Sequence, residues 1–244
     1  MCRHLGYLGV PRPLSELILD APHSLLRQSY QPRIQRHGVV NADGFGAGWY
    51  VDGHHDAVRY RQARPIWSDA SFSSLAPTVR SGLVIANVRS ATEGTALDET
   101  AAAPFRHGRW LMSLNGRLFD WPGARKELWH RALDVPEAGA AVDTSLVFAL
   151  AVEAWTSGAS LGEGLAQAVG TLVRHGDGRL NLLASDGSSL AATRHGEDLY
   201  VRRGSDSTVI ASEPTDDTDD WELVPDEHVV VATGESVSIT PMAL

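Results

Sequence analysis

Apolar positions along this chain fall into two kinds of run, continuous blocks and helically spaced stripes. Leu83 to Val88 and Trp110 to Leu114 are continuous blocks, as expected of strands buried on both faces. The first ends at Arg89-Ser90-Ala91-Thr92 and the second at Asn115-Gly116, so both deliver polar residues at their ends. Leu5 to Val10 reads as a shorter strand, and Pro13 to Leu19 as a short helix opened by its proline. Residues 33–44 form a polar loop with Asn and Asp turn chemistry, which runs into a Gly-spaced aromatic strand ending at Tyr50. Val58 to Gln62 is its expected hairpin partner.

The stripes come later. Leu146, Val147, Leu150, Ala151 and Ala154 keep helical spacing, with Gly158 as the stop. Ser160 and Glu163 then form a capping-box pattern ahead of Leu161, Leu165, Val169 and Leu172. From Leu180 onward the pattern returns to short strands at 180–184, 190–193, 199–203, 208–212 and 229–232, with Asp186-Gly187 as a hairpin turn. Strands, helices and strands again predict an α+β fold of two sheets with a helical layer, one domain over residues 1–244.

Composition narrows the function classes. Apolar residues make up 43% and charged residues 21% of 244, an ordinary globular mixture. A net charge of -9 argues against a nucleic-acid surface. No apolar run approaches the ~18 residues of a membrane span, and Arg3, Pro11 and Arg12 interrupt any leader-like stretch. The expected compartment is the cytoplasm. One cysteine rules out an internal disulfide and a zinc cage of several thiolates, and no metal or other cofactor is expected. His54-His55-Asp56 follows Gly53 in a turn and reads as a solvated loop. All cations except Lys126 and the histidines are arginines, which fits a codon bias as well as it suits bidentate capture of a carboxylate; composition does not separate the two.

The single cysteine is Cys2, directly behind Met1. Removal of that methionine would leave one residue with both a thiol and an α-amine. A free thiol titrates near ~8.5 and an α-amine near ~8, so one can take the other's proton at little cost. Nucleophile and general base would then share a residue.

Met1-Cys2-Arg3-His4, Asn41-Ala42-Asp43-Gly44, Val88-Arg89-Ser90-Ala91-Thr92, Asn115-Gly116 and Ala211-Ser212-Glu213-Pro214 occur in this order. In that pattern the chain resembles the class II glutamine amidotransferase domains, which are N-terminal nucleophile hydrolases, over nearly its whole length. The resemblance implies a four-layer αββα sandwich of two mainly antiparallel sheets. It implies Cys2 as the nucleophile and the Asn115 side chain with the Gly116 N–H as oxyanion donors. It also implies Arg89 as partner of a glutamyl α-carboxylate, Thr92 as a hydroxyl beside it, and Asp143 as partner of the α-ammonium. The chain departs from the family pattern at Leu114, where many members have His, and at Ala86-Asn87, where many have Gly-His. Both positions shape pocket walls.

Alternatives stand beside these roles. Asn115-Gly116 also reads as a type I′ hairpin turn, and Asp143-Thr144 as a helix cap. Six acidic residues between Glu213 and Glu222 read as a solvated loop, or, with Trp221, as a surface facing a quaternary ammonium. The glutaminase-like pattern uses about the whole length, which favours a stand-alone hydrolase removing a γ-glutamyl group from a small amine. A free-standing glutaminase subunit and an inactive γ-glutamyl-binding module are the rivals.

Overall fold

The computed structural model describes residues 2–244, so the expected loss of Met1 lies outside the described residues. In chain order the first strands are β1 (Arg3–Pro13), β2 (Phe45–Trp49), β3 (Val58–Gln62), β4 (Arg80–Val88), β5 (Phe105–His107) and β6 (Trp110–Leu118). After the central helices come β7 (Gly178–Ser185), β8 (Leu190–Arg194), β9 (Tyr200–Arg203) and β10 (Ser207–Ala211). The chain ends with β11 (Trp221–Leu223), β12 (His228–Ala232) and β13 (Val237–Pro241). The helices are α1 (Leu25–Gln28), α2 (Ala70–Leu75), α3 (Trp121–Leu128), α4 (Asp143–Thr156) and α5 (Leu161–Val173).

The strands form two antiparallel sheets. One has the order β11-β9-β10-β1-β4-β2-β3, the other β13-β12-β8-β7-β6-β5. Strand alternation explains why the apolar blocks are continuous. In β4, Val84, Ala86 and Val88 turn outward to a cluster with Phe45, Phe72 and Ile18, while Leu83 and Ile85 turn inward to Leu111, Leu183 and Ile210 of the interlayer. In β7, Leu180, Leu182 and Ala184 join α4 and α5 on the outer side, and Leu183 faces the other sheet. Burying each such aliphatic side chain contributes about 1.5–3 kcal/mol before the opposing cost in chain entropy, and the interlayer shares this burial between the two sheets. The result is the αββα sandwich.

Several local expectations change. The helix expected over Pro13 to Leu19 is present, but residues 11–13 do not open it. They extend β1, because after a bulge Arg12 and Pro13 pair again with Ser81 and Arg80 of β4. The helical turn after them runs Glu16–Asp20 in π register. The second continuous block reaches Leu118 rather than ending at Leu114, and Asn115 and Gly116 pair within the ladder with Asn181 and Leu180 of β7. The hairpin-turn reading of that dipeptide is therefore overturned. The Asp186-Gly187 turn, within the loop that joins β7 to β8, and the Ser160–Glu163 capping box are both present as expected. Among the described residues, no helix is long and apolar enough to cross a membrane.

The interlayer is apolar through most of its depth. At one end it turns polar, and that end collects the start of β1, the end of β4, the end of β6, the start of β7 and the end of β10.

Candidate active site

Arg3 pairs with Val88 in the β1–β4 ladder, so one further step outward brings Cys2 beside Arg89. Cys2 is half-buried and its thiol is free. His4, on the same face of β1 but deeper, reaches across the interlayer to Ser113 of β6, with Nδ1 3.0 Å from the hydroxyl. Ser212, just past β10, ties three elements together. Its N–H donates to the His4 carbonyl at 3.0 Å, and its Oγ accepts the His4 N–H at 3.0 Å. The same Oγ accepts the Asn115 side-chain amide at 3.2 Å. Asn115 is fully buried. Its Nδ2 has a second hydrogen left to donate.

Gly116 follows with φ +148, and a Cβ built on it would lie 1.9 Å from the Arg179 carbonyl oxygen. Only glycine lets β6 and β7 approach here without displacement.

Arg89 is not the surface residue that a strand-ending arginine usually is. It is 3% exposed. Its guanidinium donates to Thr95 Oγ1 at 3.0 Å, the Ala96 carbonyl at 2.8 Å and the Asp43 carbonyl at 3.4 Å. All three acceptors are neutral, and no carboxylate of the described residues lies within ion-pair distance of it. A buried cation is costly without a counter-charge. Residues 41–44 brace this segment as architecture: Asp43 accepts the Ala91 N–H at 2.7 Å, and its own N–H donates to the Arg89 carbonyl at 2.9 Å. Thr92 stands in the turn that follows, its carbonyl accepting from the Thr95 N–H and hydroxyl. Its own hydroxyl is unengaged among the described residues.

Asp143 is buried and opens α4, but it is not the cap; Val142 occupies that position. One carboxylate oxygen accepts the Leu118 N–H at 2.9 Å, and the other accepts the Thr144 N–H at 2.8 Å. Burial pushes its pKa up, while these hydrogen bonds and the Arg89 charge pull the other way. Ala96 donates to the Ala141 carbonyl at 2.9 Å, linking the Arg89 turn to the start of α4. Six candidate residues from four separate segments thus meet at one end of the sandwich.

Sequence reasoning missed His4, Ser113 and Thr95 as parts of this arrangement, and used Ser212 only as a motif letter. Ser113 and Asn115 at alternate positions of an apolar strand were the available signal. Two clefts, of about 590 Å³ beside Val10 and Ser207 and about 460 Å³ between α4 and α5, lie elsewhere and join no nucleophile to a base. His55 pairs with Asp56 in an exposed turn, and no metal-binding group of His, Cys, Asp or Glu occurs among the described residues. The acidic segment 213–222 is used internally. Arg202 stacks on Trp221 at 4.9 Å and pairs with Asp216, which also accepts the Trp221 indole N–H at 3.0 Å. Asp217 accepts from Arg33 at 2.7 Å. That leaves no support for the quaternary-ammonium reading of the loop.

Comparison with known proteins agrees with the geometry. A family model described as class-II glutamine amidotransferases matches residues 23–206. The chain is 44% identical over 99% of its length to the γ-glutamyl-hercynylcysteine sulfoxide hydrolase of Mycolicibacterium smegmatis, covering all of that protein. It is 41% identical over 99% of its length to the protein of the same name from Mycobacterium tuberculosis, covering 97% of it. Among solved structures, a glutamine aminotransferase class-II domain protein from Silicibacter pomeroyi superposes over the full length of both chains with a TM-score of 0.74 at 24% identity. The glutamine phosphoribosylpyrophosphate amidotransferase of B. subtilis does so over half of its own length, with a TM-score of 0.70 at 16% identity. The chain belongs to the class II glutamine amidotransferase family.

Proposed function

We propose that this protein is an amidohydrolase that cleaves a γ-glutamyl amide and releases glutamate, with Cys2 as its nucleophile once Met1 has been removed. The observation that carries the reading is the buried Arg89 guanidinium beside Cys2, which has neutral protein acceptors and no carboxylate partner among the described residues. A glutamyl α-carboxylate supplies the missing counter-charge in a geometry that a planar fork recognises. The α-ammonium goes to Asp143, whose burial makes a cationic partner favourable, and Thr92 adds a hydroxyl at the rim.

The chemistry follows from these anchors. The Cys2 thiol gives its proton to its own α-amine as sulfur bonds to the γ-carbonyl carbon. The carbonyl oxygen becomes an oxyanion, stabilised by the Asn115 amide and the Gly116 N–H. As the intermediate collapses, the C–N bond breaks and the amine returns its proton to the leaving nitrogen. Water then attacks the thioester, with the α-amine as base, and glutamate and free Cys2 result. The full-length relatives favour γ-glutamyl-hercynylcysteine sulfoxide as the substrate, a reaction of ergothioneine biosynthesis. The chain works as one unit over residues 1–244, in the cytoplasm, on a small molecule.

Glutamate release from γ-glutamyl-hercynylcysteine sulfoxide and from glutamine, with wild type and Cys2→Ala, tests the proposal. Wild type is expected to prefer the sulfoxide, and Cys2→Ala to lose at least ~10³-fold in kcat. Preference for glutamine would favour a glutaminase subunit. Equal turnover by both proteins, or a native mass that retains Met1 on an active enzyme, would overturn the mechanism.

A further inference from the structure

Beyond Asn115, the site-facing side of β6 carries one more side chain, Arg117. Two residues of strand separate them by roughly 6.6 Å, with both side chains on the same face. No hydrogen bond or ion pair engages Arg117 among the described residues, and its Nε is buried without a partner. Its neighbours are accounted for. Arg179, directly opposite in the β6–β7 ladder, has Nε 2.7 Å from the buried carboxylate of Glu197. Asp198 lies between Arg36 and Arg194 at 3.0 and 2.9 Å. Glu213 accepts the N–H groups of Arg33 and Ile34. Arg3 donates to Gln35 and Arg89 to three neutral acceptors, so of the arginines at this end Arg117 alone makes neither a hydrogen bond nor an ion pair among the described residues.

Its orientation is nevertheless fixed. The Arg117 and Arg179 guanidinium carbons lie 5.2 and 5.4 Å from the ring centre of Phe119, which is 44% exposed. Stacking on an aromatic ring holds a guanidinium plane while leaving its N–H edge free to bind. The platform also lies on the proper side. From Cys2, the Arg89 turn leads by way of Thr95 and Ala96 to the start of α4. Arg179 and Glu197 belong to the other flank, toward β7 and β8. With the glutamyl half on the first flank, the amine half falls on the second.

We propose that Arg117, stacked with Arg179 on Phe119, is the leaving-amine subsite and binds a carboxylate on the carbon next to the scissile nitrogen. The preferred leaving amine is then an α-amino acid, and ammonia, which has no carboxylate, is disfavoured. This rests on the γ-glutamyl amidohydrolase reading and deepens it. It also gives a physical basis for discrimination against glutamine, because an unsatisfied guanidinium penalises a substrate that lacks its partner.

The test compares two substrates that differ only in that group: γ-glutamyl-S-methylcysteine sulfoxide and the γ-glutamyl amide of its decarboxylated amine. Wild type is expected to favour the carboxylate substrate by about 10- to 100-fold in kcat/KM. Arg117→Gln is expected to reduce that ratio to within about threefold of unity. Both substrates are measured on one preparation, so partial unfolding scales both rates and leaves the ratio unchanged. If Arg117→Gln does not fold, the ratio is read on Arg117→Lys, where loss of the planar fork is expected to lower it at least threefold. A wild-type ratio near unity, or a ratio unaltered in the variant, would overturn the subsite alone. No glutamate from either substrate or from γ-glutamyl-hercynylcysteine sulfoxide would overturn the parent reading instead.

Discussion

Ser212 carries more of the candidate site than its size suggests, because one oxygen accepts both the His4 N–H and the Asn115 amide. It fixes the first strand behind Cys2 and the proposed oxyanion donor in a single frame. Neither bond touches substrate, so Ser212 is a positioning residue. Ser212→Ala leaves the buried His4 N–H without that acceptor and frees Asn115 to turn. The expected cost is about 1–3 kcal/mol of stability and about a tenfold fall in kcat with KM within threefold. Urea unfolding together with steady-state kinetics would check it. A variant that loses stability but keeps full kcat would mean that Asn115 is held by its packing alone.

Among the elements, β6 decides the geometry of the site, and Gly116 decides β6. An added methyl there meets the Arg179 carbonyl oxygen, a backbone atom that cannot rotate away. Gly53 offers a control, since its φ is +81 but nothing lies within 4 Å of a built Cβ. Gly116→Ala is expected to cost at least about 2 kcal/mol and most of the activity. Gly53→Ala is expected to cost about 1 kcal/mol and no activity. Equal midpoint shifts in urea would mean that the positive φ, not the approach of β7, makes glycine necessary. The same strand shows what was legible in the sequence. Its apolar block announced a strand buried on both faces, and the order of motifs announced the sandwich. The competing signal was the Asn-Gly dipeptide, whose commonest local use is a turn; pairing with Asn181 and Leu180 overrode that propensity. The helical turn after Pro13 was legible, but its opening was not, since the renewed pairing of β1 with β4 through Pro13 is a long-range effect. The signals of α3 are local but went unread: Asp120 caps it by accepting the Gly123 N–H, and Pro122 stands in its first turn.

At the scale of the whole molecule, the polar end of the interlayer couples folding to pH through His4. The imidazole is wholly buried between the sheets, with one nitrogen on Ser113 and the other without a partner. Burial, and secondarily the charge of Arg3 next to it, pushes its pKa down to about 3. The folded protein therefore keeps His4 neutral where the unfolded chain protonates it near ~6.5. Stability from this group is fully present above pH ~6.5 and is lost as pH falls toward the folded value, by about 1.4 kcal/mol for each pH unit. Asp143 works in the opposite sense, because its raised pKa makes protonation favourable in the folded state as pH falls. His4→Gln keeps a polar partner for Ser113, removes the one titration and leaves Asp143 in both proteins, so the difference between the two profiles isolates His4. Between pH 6.5 and 5 wild type is expected to lose about 2 kcal/mol more than His4→Gln, read from urea midpoints at constant ionic strength. Parallel profiles over that range would show that the interlayer takes up a proton while remaining folded, and that the two sheets are not sealed against water at the end where Cys2 lies.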